Sequence, residues 1–193
     1  EEGTIDGLMT ACRAGMVIGG YYEIDEKAVH SLHGAIDDCR AVLEKDVTHK
    51  DARITLAIAI GFEGKRWRKP GLAKKSRAML EQVFEDYPDD YASHGALGGW
   101  HSEVSAAGFL AKLYLGAKRK MAQQYFNDAF SRKKSDLPLL LEYIKFMARG
   151  KTSDIELALS SAESALRVAS NEAIDTLMHD NIGALQAALL SND

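Results

Sequence analysis

Four side chains with metal-binding chemistry recur at helical spacing near the start of the chain: Glu26, His30, His33 and Asp37. Separations of four, three and four residues place them on one face of a helix. Two imidazoles and a carboxylate can bind a transition metal, so His30, His33 and Asp37 form a candidate metal site. The alternative, a solvated polar face with weak ion pairs, is the interpretation we adopt, and we predict no metal and no cofactor.

A second group of reactive side chains lies in mid-sequence, at His94, Trp100, His101 and Glu103. The two histidines are seven residues apart, which on a helix separates them by about 10 Å, too far for one metal ion. We expect Trp100 to pack in the core and Glu103 to pair with a basic side chain of the segment that follows. An enzyme using His94, His101 and Glu103 is the least favoured function.

Known catalytic and nucleotide-binding motifs are not found in the sequence. The Gly61–Lys65 segment has a Gly-Lys pair but lacks the spacing and the Ser/Thr of a phosphate-binding loop. Gly15 and Gly19-Gly20 follow a helical pattern and not a strand, so they do not form a dinucleotide fingerprint. We therefore expect a non-catalytic protein.

The amino-acid composition excludes several classes of protein. The 193 residues are 46% hydrophobic and 27% charged, with three prolines and a net charge of -4. This balance excludes a disordered chain and gives no general affinity for nucleic acid or for an anionic membrane. No apolar run reaches the roughly 20 residues that a transmembrane helix needs.

Two cysteines, Cys12 and Cys39, are too few for a disulfide scaffold or a zinc ribbon. They would pair if the first two helices form a hairpin in an oxidising compartment; otherwise they are small buried apolar residues. Because the sequence starts at Glu1 and not at Met, we expect residues upstream to be missing, either through cleavage of a signal peptide or through trimming of the chain. Of these two we favour the signal peptide, and with it an exported, periplasmic protein of a bacterial envelope; a cytoplasmic protein is the alternative.

The elements that position these side chains are helices. Apolar residues recur at spacings of three and four along nearly the whole chain, and no long segment alternates with a period of two. Helix starts are predicted from Thr48 with Asp51, from Ser153 with Glu156, and from Asp136. Nine helices are predicted, at about 4–19, 26–45, 49–66, 72–86, 91–115, 119–131, 137–149, 153–169 and 172–190.

A small–large–small pattern recurs in every second predicted helix. Ala122, Phe126 and Ala129 fit it fully, and the looser copies are Ser76-Leu80-Val83, Ala158-Ala162-Ala165 and Ala35-Cys39-Val42. The first helices carry a companion signal, Ile60-Gly61 and Leu97-Gly98, 37 residues apart. Small residues let paired helices approach, and the large residue fills the groove between them.

These motifs resemble the tetratricopeptide-repeat (TPR) superfamily over residues 26–170. The segment from His94 to Val104 also resembles the TPR-like region of regulator-of-microtubule-dynamics proteins, from which we carry over no function. The chain departs from a standard repeat by twelve extra residues between Gly98 and Ala122, which we interpret as an extended hairpin at 105–116. The alternative is a generic all-α bundle with Ala-rich helices.

The resemblance implies an all-α array of antiparallel helix hairpins in a right-handed superhelical stack. We expect one domain over 1–193, with an N-terminal hairpin at 1–45, a repeat core at 48–170 and a capping helix at 171–193. In this superfamily the concave face usually binds peptide segments of partner proteins. The residues that the resemblance places in this groove are Thr55, Ile58, Phe62, Lys65, Ala92, Gly95, Gly99 and Glu103. The glycine-rich face around Gly95 and Gly99 is either a slot for a ligand backbone or a site of close helix packing, and we favour packing.

Charge is distributed in blocks. Residues 60–80 and 110–134 each carry seven basic side chains and one acidic side chain, whereas residues 81–109 carry six acidic ones and no basic one. We expect a basic edge that includes Arg66, Arg68, Lys69, Lys118, Arg119 and Lys120. It would dock an acidic partner or anionic head groups, or serve only as a solvated surface.

The favoured function is therefore a scaffold that binds another protein through the concave face, the basic edge or both. The alternative is a small-ligand or solute-binding accessory protein of transporter type. The sequence leaves open the partner, the oligomeric state and the pairing of the cysteines.

Overall fold

The computed structural model describes residues 3–170 and 172–191, and in these ranges it contains helices and no strand. Across the described residues, ten α-helices follow one another, with a π-helical turn, Ile18–Tyr22, directly after the first. They are α1 Ile5–Val17, α2 Asp25–Lys45, α3 Lys50–Arg66, α4 Pro70–Asp86, α5 Tyr91–Ala106, α6 Phe109–Leu115, α7 Arg119–Arg132, α8 Leu137–Ala148, α9 Thr152–Ala165 and α10 Ala173–Leu190. Residues 171, 192 and 193 of the predicted capping segment lie outside the described ranges, as do residues 1 and 2.

The predicted helix at 91–115 is two helices. The chain leaves helical geometry after α5 and passes through Gly108 at a φ of +110° before α6 begins. A positive φ of this kind suits glycine and ends a helix. The inserted residues therefore form a separate short helix and do not lengthen the preceding one.

The helix starts differ in part from the prediction. Asp136 caps α8 as expected, because its side chain accepts a hydrogen bond from the backbone N–H of Leu139 at 2.9 Å. The predicted cap at Thr48 is wrong: His49 caps α3 and accepts from Ala52 N, while Thr48 bonds to the side chain of Asp46. The predicted cap at Ser153 is also wrong, since α9 begins at Thr152 and Asp154 accepts the N–H of Lys151.

The first compact unit is Glu1–Leu97. Its core lies between α1, α2 and α3 and contains Met9, Cys12, Leu32, Ile36, Cys39, Val42, Ala52, Leu56, Ala59 and Ile60. Cys12 and Cys39 are fully buried and form a disulfide with their Cα atoms 5.2 Å apart. A Cβ on Gly19 would lie 2.8 Å from the backbone oxygen of Ala28, and one on Gly15 would lie 3.0 Å from that of Ser31, so these two glycines allow α1 and its π turn to pack closely on α2.

The second compact unit is Gly98–Asp193, and its boundary with the first falls within α5. Phe126 of α7 is fully buried, with its ring 5.4 Å from Phe146 and 5.6 Å from Tyr143 of α8. Met178 and Ile182 of α10 are also fully buried. The rings of Phe126, Tyr143 and Phe146 thus form an aromatic cluster between α7 and α8.

The small–large–small pattern predicts core positions correctly. All twelve residues of the four copies, on α2, α4, α7 and α9, are buried with at most 1% of their surface exposed. A Cβ on Gly61 would meet Ser76 at 2.8 Å, and one on Gly98 would meet the Phe126 ring at 3.1 Å. In these two helix pairs, α3 with α4 and α5 with α7, the glycine of the first helix thus packs against a residue of the small–large–small pattern on the second helix.

Candidate functional site

The first set of predicted groove residues lies on α3. Thr55 is buried, Ile58 is half-buried and Lys65 is exposed. Phe62 packs against the π turn, with its ring 5.0 Å from the Tyr21 ring in edge-to-face geometry. A Cβ on Gly20 would lie 2.6 Å from Phe62, so the glycine makes room for this ring. The structure therefore uses much of the Phe62 surface for packing in the first unit.

The second set lies on α5. Ala92 is half-buried and Gly95 is buried. One helical turn farther along, Gly99 and Glu103 face α8. A Cβ on Gly99 would meet only Glu142, at 3.7 Å, which is ordinary contact distance. Gly99 thus differs from Gly98, whose face is filled by Phe126.

Glu103 and three side chains of α8 and its C-terminal end form a charged cluster, which we define as Glu103, Glu142, Lys145 and Arg149. Glu103 Oε1 lies 2.9 Å from Arg149 Nη2 and 3.3 Å from Lys145 Nζ. Lys145 also donates to Glu142 Oε1 at 2.8 Å. The expectation that Glu103 pairs with the inserted segment is wrong, because its basic partners come from the next first helix of the array.

The charged cluster contains two acidic and two basic side chains and is only partly exposed to solvent. The side chains of Glu103, Glu142 and Lys145 are each at most 20% exposed. Burial alone would lower the pKa of Lys145, but Glu142 and Glu103 outweigh this effect and raise its pKa above the usual value. The lysine therefore stays charged at neutral pH, between the side chains of Glu103 and Glu142.

His94 and His101 both have structural contacts. The Nδ1 atom of His94 lies 2.8 Å from the backbone oxygen of Asp90, and its ring packs on Phe84. His101 Nδ1 accepts the backbone N–H of Lys118 at 3.3 Å, directly before α7, and its ring stacks on Tyr125. Both histidines are buried. These contacts favour a packing role and give no support to the enzyme that the sequence left as an alternative.

Of the six residues predicted for the basic edge, two make structural contacts within the fold and four are exposed. Arg66 donates to the backbone oxygens of Gly19 and Glu23 at 2.6 and 2.7 Å, so it holds the π turn. Arg119 pairs with Asp154 at 3.1 Å and lies over the Phe146 ring. The other four predicted residues are exposed: Arg68, Lys69, Lys118 and Lys120.

The candidate metal site does not assemble. Within residues 3–170 and 172–191, no group of three or more His, Cys, Asp or Glu side chains could hold a metal ion. The Nε2 atom of His33 lies 3.6 Å from Glu63 of α3, and Asp37 pairs with Arg40 on its own helix. These contacts agree with the solvated polar face that we adopted.

Sequence reasoning missed an open groove of about 570 Å³ in the second unit. Three helices line it: α7, α8 and α9. The lining residues are Asn127, Phe130, Ser131, Leu140, Tyr143, Leu157, Ser160, Ser161 and Ser164. The spacing of Leu157, Ser160, Ser161 and Ser164 marks one face of α9, which is the signal that could have found the groove.

Comparison with known proteins identifies the class of fold. No family model matches the chain, and no curated protein matches it. Among solved structures, it is similar to a thermophilic TPR protein of Thermus thermophilus, at 13% sequence identity with a TM-score of 0.63. The match covers 97% of this chain and 82% of the other. The chain is therefore an all-α helical-repeat protein with a TPR-like fold. In the described part of the chain, no helix is both long and apolar enough to cross a membrane.

Proposed function

We propose that this protein is a non-catalytic scaffold that binds a segment of another protein on the face formed by α5 and α8. The observation that carries the proposal is the charged cluster of Glu103, Glu142, Lys145 and Arg149 beside Gly99. Helical-repeat proteins of this fold commonly mediate protein–protein interactions, and their first helices line the binding face. Both helices of this face are first helices of their pairs.

The chemistry of the face indicates what it would bind. Gly99 is buried, so a bound segment would contact the charged side chains around it and not its backbone. A carboxylate of that segment can join Glu103 as a second partner of Arg149, whose side chain is 35% exposed. No charge of the cluster then loses its partner, so the cost of an unpaired half-buried charge is avoided. The face is therefore suited to an extended segment with an acidic side chain or a C-terminal carboxylate.

Capture from a lysate of the source cells tests the proposal. The bait is the full chain, and the test variant is Lys145→Gln/Arg149→Gln, which removes both cations and keeps much of the side-chain length. The matched control is Glu163→Gln/Arg167→Gln, an exposed ion pair at the end of α9. Proteins retained on each bait are quantified by mass spectrometry, and circular dichroism confirms that each bait is folded.

The proposal predicts a protein that the wild type and the control retain and that the test variant loses. A peptide from that protein should then bind the wild type, and its affinity should fall when its acidic residue is changed to the amide. Equal retention on all three folded baits would contradict a binding role for this face.

The exposed basic residues support a second contact for an acidic partner. Arg68 and Lys69 lie between α3 and α4 and are both exposed. Their charge reversal, Arg68→Glu/Lys69→Glu, tests this contact better than a change at Arg66, which would release the π turn. We expect the same captured protein to bind more weakly and with a shallower salt dependence. Unchanged affinity and salt dependence would rule out docking at these two residues.

A further inference from the structure

Helix α6, Phe109–Leu115, carries large apolar side chains that the fold does not bury. Phe109 is 75% exposed, Leu110 78%, Leu113 69% and Tyr114 63%. The helix contains no buried residue. Scattered exposed apolar residues are normal, but four of this size in one short helix form a patch that indicates a binding role.

These four side chains share one side of the helix. At 100° per residue, positions 109, 110, 113 and 114 span an arc of about 140°. Gly108 and Gly116, with φ values of +110° and +69°, end the helix on both sides. The helix is thus a separate element about 10 Å long, with one apolar side.

The sequence on both sides of α6 carries charge of one sign. No Asp or Glu occurs from Val104 to Asn127. Three lysines in this stretch are exposed, Lys112, Lys118 and Lys120. The fourth basic residue, Arg119, pairs with Asp154. An exposed apolar patch with exposed lysines near it in sequence is complementary to a lipid surface, which is apolar inside and negatively charged at its head groups.

We propose that α6 docks this protein onto an anionic lipid bilayer. The Phe, Leu and Tyr side chains would enter the boundary between head groups and acyl chains, where such residues are favoured. The three lysines would contact lipid phosphates, an attraction that acts within a Debye length of the surface. A protein partner is less favoured because lysine is depleted from protein interfaces. The attachment is peripheral, and it uses none of the residues of the charged cluster on α5 and α8.

Vesicle co-sedimentation of the full chain tests this proposal. The probes are vesicles of phosphatidylcholine alone and of phosphatidylcholine mixed with phosphatidylglycerol. We expect binding only to the mixed vesicles, and we expect added salt to weaken it. Two variants should each lower the partition coefficient by about tenfold or more: Leu110→Ser/Leu113→Ser, which removes apolar surface, and Lys112→Gln/Lys118→Gln/Lys120→Gln, which removes charge.

The matched control removes two exposed apolar side chains elsewhere, as Val47→Ser/Leu190→Ser. Val47 is 75% exposed and Leu190 60% exposed, so this variant should bind like the wild type. A Tyr114→Trp variant provides an independent signal, because its fluorescence should shift to shorter wavelength only with the mixed vesicles. This measurement tests the proposal even where another variant fails to fold.

Three results would overturn the proposal. The first is a wild-type protein that does not bind the mixed vesicles, or that binds both kinds equally. The second is binding that neither α6 variant weakens. The third is a wild-type dimer, seen by light scattering, that the Leu110→Ser/Leu113→Ser variant converts to a monomer, since a second copy would then cover the patch.

Discussion

Reduction of the Cys12–Cys39 disulfide should lower the stability of the N-terminal helices by a predictable amount. The bond closes a loop of sequence separation 27. A closed loop of this length removes chain entropy from the unfolded state, and the loss corresponds to about 3.5 kcal/mol at 25 °C. Reduction leaves both sulfur atoms in the buried core between α1 and α2, so the packing energy of the folded state changes little. The expected loss of stability therefore comes from the higher chain entropy of the unfolded state.

The assay is urea unfolding, monitored by far-UV circular dichroism, of an oxidised and a reduced sample. The reduced sample is prepared by unfolding the protein in the presence of a reductant and then refolding it with the reductant kept in the buffer. We expect the free energy of unfolding to fall by about 3.5 kcal/mol in the reduced sample. The control is Cys12→Ala/Cys39→Ala, which should unfold identically with and without reductant. Two titratable thiols in the denatured, unreduced protein would refute the bond, and coincident wild-type curves would refute its stabilising effect.

Four further predictions follow from packing, capping and charge. Phe126→Ala should cost roughly 3–5 kcal/mol in chemical unfolding and Phe126→Leu much less, because the ring is fully buried; equal costs would contradict the packing role. Gly99→Ala should be neutral or stabilising by up to about 1 kcal/mol, since its Cβ fits. Gly98→Ala should melt at a lower temperature than Gly99→Ala, because its Cβ would press on Phe126; the reverse order would refute this assignment. Asp90→Ala should lose both the helix cap on Ser93 N and the ion pair with Lys50, and the free energy of unfolding should fall by roughly 2 kcal/mol or more. Asp90→Asn keeps the cap and should lower the stability less. Equal melting temperatures of these two variants would show that the cap contributes nothing. The hydrogen bond to Asp90 raises the pKa of Lys50, so its contribution to stability is present below the unfolded pKa and is lost as pH rises through the folded one. Lys50→Gln should therefore flatten the alkaline decline of melting temperature, and an unchanged decline would argue against the pair.

The fold could be predicted because its main signal is periodic. Each copy of the small–large–small pattern has the spacing of a helix face, and helix packing requires small residues where two backbones approach. Boundaries were predicted less well where several residues compete to cap a helix, as at Thr48 and His49. The division between α5 and α6 depends on the backbone geometry of Gly108, which residue type alone does not determine.

The candidate site could be predicted only in part. Alignment of first helices found Gly99 and Glu103, because these lie on the helix that carries the repeat signal. The basic partners Lys145 and Arg149 were missed because α8 has no Leu-Gly pair to set its register. Arg66 and Arg119 were interpreted as surface charges, and only the three-dimensional structure shows that backbone oxygens and Asp154 hold them.

Two of the ion pairs described above join helices that are two apart in the chain. Lys50 at the start of α3 pairs with Asp90 before α5, and Arg119 at the start of α7 pairs with Asp154 in the first turn of α9. The stability of a repeat array is approximately the sum of the intrinsic stability of each repeat and the interaction energy between neighbouring repeats. The two ion pairs contribute to the interaction between neighbours and not to the intrinsic stability of one repeat. Their loss would therefore reduce the cooperativity of unfolding, so that each unit would melt over a broader temperature range and its helix pairs would open one after another.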